Sequence, residues 1–178
     1  MDDRSHAFAR AAVIEQFRWV EGHADIWRVF ASPRAFALVT EALAAPWRDV
    51  SVTKVCGIEA RGFLLGGAVA HELSAGFVAI RKSDGLLPGE QLRRSTATDY
   101  RGQAHVLRAQ RELLGPPDRV LLVDDWAELG SQAIAAKQII MSSGASYLGL
   151  SILVDQLTDE RRAELGRVTA VVRHEELP

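Results

Sequence analysis

Two adjacent carboxylates, Asp124 and Asp125, follow the apolar run Val120-Leu121-Leu122-Val123 and precede the turn Trp126-Ala127-Glu128-Leu129-Gly130-Ser131-Gln132. A strand, a glycine turn and a helix start place unpaired backbone N–H groups and a positive dipole end around one point, where a phosphate fits. Gly130 permits close approach, and Ser131 or Gln132 can donate from its side chain. Carboxylates beside a phosphate would repel it unless they faced hydroxyls or a metal, so the combination suggests a sugar phosphate. The same acids also read as an N-terminal helix cap with a solvated neighbour, and the residues alone leave both readings open.

The elements that must position these groups follow from hydrophobic spacing. Phe8, Val13, Ile14, Phe17 and Val20 predict a helix over Ala7–Val20. A second covers Ala35–Leu43, started by Ser32 as cap and Pro33 in the first turn. Val52–Ile58 reads as a strand, Phe63–Leu73 as a helix and Phe77–Ile80 as a strand. Residues 83–102, with the breakers Gly85, Pro88, Gly89 and Gly102, read as a long mobile loop, a candidate lid. Beyond a short strand at Ala104–Leu107, a helical turn to Leu114 and a stop at Gly115-Pro116-Pro117 comes the strand Val120–Val123, apolar on both faces and ending in the acid pair. Ala133–Ile140 predicts a helix stopped by Gly144, and the strands Tyr147–Val154 and Val168–Val172 flank a short helix at Asp159–Leu165. The alternation implies an α/β fold, a mainly parallel sheet with helices on both faces, whose ligands sit beyond the carboxyl ends of the strands. Nothing splits the chain, so 1–178 is expected to be a single domain, with a helical hood segment over about 1–50 and a core over 51–178.

Composition narrows the function. At 178 residues, 48% hydrophobic and 25% charged, the chain can bury one core. A net charge of -2 gives no reason to expect nucleic acid or an anionic membrane as partner. The single cysteine, Cys56, excludes an internal disulfide and a cysteine zinc cluster, and in Val55-Cys56-Gly57-Ile58 it reads as a buried thiol. His6, His23, His71, His105 and His174 lack metal-ligand spacing and read as surface or core, so no metal held by protein alone is expected. The start Met1-Asp2-Asp3-Arg4 is not followed by a signal-like apolar stretch, and no uncharged apolar run approaches about 18 residues, so a cytoplasmic protein is expected.

Val120-Leu121-Leu122-Val123-Asp124-Asp125 with its glycine turn resembles the sugar-diphosphate motif of type I phosphoribosyltransferases. Gly57-Ile58-Glu59-Ala60-Arg61-Gly62-Phe63-Leu64-Leu65-Gly66 is similar to the matching segment of bacterial adenine phosphoribosyltransferases, with Ala79-Ile80-Arg81-Lys82 and Leu87-Pro88-Gly89 at the family's spacing. The resemblance runs from about Val52 to the end. It implies that Ala60, Arg61 and Gly62 form a pyrophosphate loop, that Arg81 and Lys82 reach the pyrophosphate of phosphoribosyl diphosphate, and that Asp124 and Asp125 hold ribose hydroxyls. It further implies that Glu128, Leu129, Gly130, Ser131 and Gln132 hold the 5-phosphate and that Asp99, in Thr98-Asp99-Tyr100, handles the proton of the base. Ile26 and Arg28 are the positions expected to face the base, while Trp27 reads as a stacking ring or a core residue. Arg61 suits such a site physically, because its planar fork of donors matches pyrophosphate oxygens, although a surface ion pair is its plainer reading.

The chain also departs from the family. Its phosphate turn is usually Ala/Thr-Thr-Gly-Gly-Thr, so Leu129 removes a hydroxyl donor and Glu128 adds a negative charge that must point away or meet a cation. The lysine expected before Leu-Pro-Gly is replaced by Gly85-Leu86, and Ala24-Asp25-Ile26-Trp27-Arg28-Val29-Phe30 follows the base-recognition segment only loosely. The expected function is transfer of a 5-phosphoribosyl group from phosphoribosyl diphosphate to a nucleobase, a purine such as adenine, with Mg²⁺ bound through the diphosphate and a homodimeric assembly. The altered turn motivates the alternative of a non-catalytic regulator that senses a nucleotide or phosphoribosyl diphosphate.

Overall fold

Alternate residues of a strand face opposite sides of its sheet, so a continuous apolar run needs cover on both. The computed structural model, which describes residues 3–82, 86–97 and 104–178, provides it. The chain runs α1 (Asp3–Gln16), β1 (Arg18–Val20), β2 (His23–Asp25), α2 (Trp27–Ala31), α3 (Pro33–Ala44), β3 (Lys54–Ile58), α4 (Arg61–Glu72), β4 (Gly76–Lys82), β5 (Gln91–Ser95), β6 (Val106–Gln110), β7 (Arg119–Ala127), α5 (Ser131–Ser142), β8 (Ser146–Asp155), α6 (Asp159–Leu165) and β9 (Val168–Arg173), with 3₁₀ turns between. Leu121 and Val123 pack with α1, α3 and α4 through Val13, Val39, Leu65 and Val69, while Val120 and Leu122 pack with α5 and α6 through Ala136, Ile139, Ile140 and Leu165.

The seven-stranded sheet has the order β5-β6-β4-β3-β7-β8-β9. Strands β4, β3, β7, β8 and β9 are parallel, and β6 and β5 add an antiparallel edge. The α/β class with helices on both faces is therefore as the sequence predicts. Ser32 caps α3, its Oγ accepting from the Ala35 N–H at 3.3 Å. Cys56 is fully buried, and burial pushes its thiol up to about 12, which leaves it unreactive.

Three expectations need correction. The first helix stops at Gln16, because Glu21 and Gly22 take φ of 51° and 77° and turn β1 back onto β2. Positive φ at both central residues is the mark of a tight two-residue hairpin turn, which overrides the helical spacing of Val20. Residues 83–102 are not one loop, since Gln91–Ser95 is a strand paired with β6. Only Leu92 and Thr96 of the segment 91–97 are buried, which is why no alternation announced it. Strand β7 continues to Ala127, so Asp124 and Asp125 lie within the strand, and the helix cap after it is Gly130. The capping reading of the acids is thereby set aside. No helix among the described residues is long and apolar enough to cross a membrane.

Close backbone approach ties α4 to the sheet. A Cβ on Gly57 would sit 2.1 Å from the Gly62 carbonyl oxygen, an overlap that only backbone movement can relieve. Gly67, on the same helix, has open space. Gly57→Ala is expected to destabilise the fold by about 3 kcal/mol, lowering the melting temperature by roughly 6–12 °C. Gly67→Ala should be neutral or stabilising by up to about 1 kcal/mol, and a pair of thermal melts checks both.

Candidate active site

A cavity of about 540 Å³ opens beyond the carboxyl ends of β7 and β8, under the β1–β2 hairpin. Its floor is the start of α5. Gly130, with φ of 70°, turns the chain into the helix, and no side chain caps that end. Gly130, Ser131, Gln132 and Ala133 all line the cavity, so the backbone N–H groups that every helix start leaves unpaired are directed there. With the positive end of the helix dipole added, this is an anion cradle made of backbone. Gly130 is required there, since a Cβ would lie 2.9 Å from Leu157 Cδ2 and the φ is left-handed.

Beside the cradle lie the two acids, Asp124 at 9% and Asp125 at 6% exposure. The Asp124 carboxylate Oδ1 accepts from the Asp125 N–H at 3.0 Å. Arg61, at the first turn of α4, brings Nε to 2.9 Å from Asp125 Oδ2. That contact is an ion pair off the N–H axis, for Oδ2 is buried and accepts no hydrogen bond among the described residues. Burial pushes Asp124 well above the usual carboxylate range, and the neighbouring Asp125 charge adds to it. Asp125 is raised too by burial, but Arg61 pulls it back, so Asp124 is the acid displaced further.

Strand β4 delivers two cations with different roles. Arg81 donates from Nη2 to Glu59 Oε1 at 3.0 Å and from Nη1 to the Leu86 carbonyl at 3.0 Å. The second Glu59 oxygen accepts from the Lys82 N–H at 2.9 Å, and Glu59 is held below its ordinary value chiefly by Arg81. Arg81 is thus engaged as a brace between strand, acid and the chain after 85. The Lys82 ammonium instead favours the charged form of both Asp124 and Asp125. Between Glu59 and Ala60 the peptide bond is cis, just before α4 begins. Among the described residues no group of three or more His, Cys, Asp or Glu side chains is placed to hold a metal ion.

The arrangement therefore combines an anion cradle, a buried acid pair of which Asp124 lines the cavity, and nearby guanidinium and ammonium groups. No family model matches the chain. A curated adenine phosphoribosyltransferase of Dinoroseobacter shibae is 45% identical over 131 residues, 74% of this chain and 72% of the relative. The chain belongs to the adenine phosphoribosyltransferase family. The adenine phosphoribosyltransferase of Rhodothermus marinus superposes with a TM-score of 0.83 at 32% identity, covering 94% of this chain and 99% of that one. The Giardia lamblia enzyme, solved with 9-deazaadenine, has a TM-score of 0.82 at 31% identity, with 95% of this chain and 97% of that one covered.

Of the residues that the sequence offers for an adenine phosphoribosyltransferase site, Arg61, Asp124, Glu128, Leu129, Gly130, Ser131 and Gln132 line the cavity, and Asp125 adjoins it through Arg61. Ala60 is exposed at the start of α4, and Arg81 and Lys82 lie at the end of β4, outside the cavity lining. Ile26 is fully buried in the core, and Arg28 is exposed and pairs with Asp25 at 3.0 Å, so neither reaches the cavity. From this part of the chain the hairpin turn and second strand bring Gly22, His23 and Ala24 to the cavity. Trp27 is neither core nor lining, being 55% exposed with its edge on Phe30. Asp99 and its neighbours 98–103 lie outside the described residues.

The sequence reading placed Trp126 only at the head of the turn and missed Trp19, His23, Gln156 and His174; all five form the cavity's upper wall. Gln156 directly follows β8, so the rule that ligands sit beyond strand ends pointed to it. His174 and Trp19 carried no such signal, because they meet only through folding, with ring centres 6.2 Å apart.

An acid raised by burial weakens the native state once pH exceeds its unfolded value, since the native form then holds a proton that the unfolded chain has lost. Asp124→Asn keeps the acceptor for the Asp125 N–H and removes the buried charge. The variant is expected to melt higher than the parent at pH 7.5, with the difference vanishing toward about pH 4, where unfolded aspartate protonates. Melting curves of the two proteins across that range check the sign.

Proposed function

We propose that the chain transfers the 5-phosphoribosyl group of phosphoribosyl diphosphate to adenine, releasing pyrophosphate. The observation that carries the reading is the backbone cradle of Gly130–Ala133 set in one cavity with the Asp124 carboxylate and the Arg61 guanidinium. The cradle suits the 5-phosphate, Asp124 and Asp125 suit the ribose hydroxyls, and Arg61 suits the diphosphate. Arg61 Nε is ion-paired with Asp125, and neither terminal nitrogen has a partner among the described residues, so both are available for oxygens. Lys82 is the second cation assigned to the leaving group, with Ala60 offering backbone and Arg81 holding the chain that leads to it.

In the reaction the bond from the anomeric carbon to pyrophosphate breaks, its electron pair leaving on oxygen, and a ring nitrogen of adenine bonds to the same carbon as it loses its proton. Asp99 is the residue proposed to take that proton. Charge grows on the departing pyrophosphate, so fixed donors aimed at it lower the barrier, each by roughly 3 kcal/mol or two orders of magnitude in rate. Mg²⁺ would arrive on the diphosphate, held by substrate oxygens with Asp124 and Asp125 as the protein acids at hand, and would neutralise part of that charge. A homodimer and a cytoplasmic setting belong to the same reading. The regulator alternative is not favoured, because the relatives are named as transferases and Arg61, the acids and Gly130 are all in place.

Incubated with adenine, phosphoribosyl diphosphate and Mg²⁺, the protein is expected to release pyrophosphate, and a correctly folded but inactive sample would overturn the assignment. Arg61→Ala should lower the rate about a hundredfold. Leu129, 44% exposed at the cavity, stands where a hydroxyl would add a donor to a charged group. Leu129→Thr is expected to lower the KM for phosphoribosyl diphosphate about tenfold, with the KM for adenine unchanged, as steady-state kinetics would measure.

A further inference from the structure

The upper wall of the cavity holds a polar pair that the roles above leave unused. Trp126 Nε1 donates to Gln156 Oε1 at 2.9 Å, and both side chains line the cavity. An indole nitrogen only donates, so whichever way the carboxamide is drawn its oxygen must face Trp126. Trp126 is itself fixed by ring contacts to Phe17, Trp19 and His174 at 6.3, 6.3 and 5.6 Å. The Gln156 backbone is fixed as well, its N–H donating to the Ala127 carbonyl at 2.9 Å. With the amide oxygen committed, Nε2 is the free end, and it has no partner among the described residues and is not sealed in the interior.

We propose that Gln156 is a specificity-determining residue, presenting a fixed N–H donor to a hydrogen-bond acceptor on the edge of the base. The inference rests on the transferase reading and deepens it. A carboxamide free to flip would accept a donor or an acceptor equally. Locked by an indole, it offers only N–H and discriminates against any base edge that also presents N–H. Adenine meets this requirement at an unprotonated ring nitrogen and fails it at its exocyclic amino group, so Gln156 sets which edge of the purine turns toward β8.

The test compares adenine with 1-deaza-, 3-deaza- and 7-deazaadenine, each lacking one ring acceptor, on the parent protein and on Gln156→Ala, Gln156→Glu and Trp126→Phe. Against the parent, one analogue should lose roughly ten- to hundredfold in KM relative to adenine, and in Gln156→Ala that loss should shrink to within about threefold. Gln156→Glu keeps the acceptor for Trp126 but turns the donor into an acceptor, so its KM for adenine should rise about tenfold or more, with the KM for phosphoribosyl diphosphate unchanged. Trp126→Phe releases the amide, and discrimination among the analogues should narrow. An identical analogue profile in the parent and Gln156→Ala overturns the inference while activity on adenine upholds the transferase reading. An inactive parent overturns that reading instead, and calorimetric binding of the same four bases then decides the role of Gln156.

Discussion

Two carboxylates buried side by side are the constraint around which the rest of the molecule is arranged. Asp124 and Asp125 are both withdrawn from water, which disfavours the charge of each, and the charge of Asp125 raises Asp124 further. Such a pair persists only where the surroundings return part of what solvation supplied. The return comes from separate parts of the chain: Arg61 from α4, Lys82 from the end of β4 and the N–H of Asp125 itself. The return is incomplete, since Asp125 Oδ2 accepts no hydrogen bond among the described residues.

Bringing Arg61 to the acids depends on how closely α4 lies on the sheet. The helix begins only three residues after β3 ends, and a Cβ on Gly57 would overlap Gly62. A Cβ on Gly62 would in turn lie 2.7 Å from Asp124 Oδ1, and one on Gly66 would lie 2.9 Å from the ring of Phe77. A side chain at Gly57 would push the start of α4, and Arg61 with it, off the sheet, while one at Gly62 or Gly66 would first displace the Asp124 carboxylate or the Phe77 ring. The Gly57-to-Gly66 segment therefore acts through distance as much as through its charged member. Glu59 works in the same direction from the other side, holding Arg81 and the Lys82 backbone at once and so fixing where β4 ends.

Much of this was legible in the sequence because its signals are local. The apolar run of β7, the glycine turn and the acid pair needed no distant partner to be recognised, and the Asp159–Leu165 helix appears with its predicted bounds. What stayed hidden depends on contacts that only the folded chain makes. Strand β5 is an exposed edge whose pattern is polar, and it exists because β6 pairs with it. The β1–β2 hairpin was masked by a helical spacing that Glu21 and Gly22 interrupt. The upper wall of the site joins the hairpin, the end of β8 and the last residues of the chain, with Trp19 Nε1 donating to the Pro178 carbonyl at 2.9 Å. No spacing rule joins positions 159 residues apart.

The altered phosphate turn has a limited reach for the same physical reason. A cradle built from backbone N–H groups depends on φ at Gly130 and on the start of α5, and neither depends on the side chains at 128 and 129. Glu128 is exposed, so water screens much of the repulsion its charge would exert on a phosphate. Leu129 withholds one hydroxyl, a loss of roughly 1.5–3 kcal/mol where the partner is charged. The cradle, the helix dipole and the acid pair are untouched by that loss. On the proposed reading the departure weakens the grip on the phosphate without moving it, because the groups assigned to place the sugar, Gly130, Asp124 and Asp125, are unchanged by it.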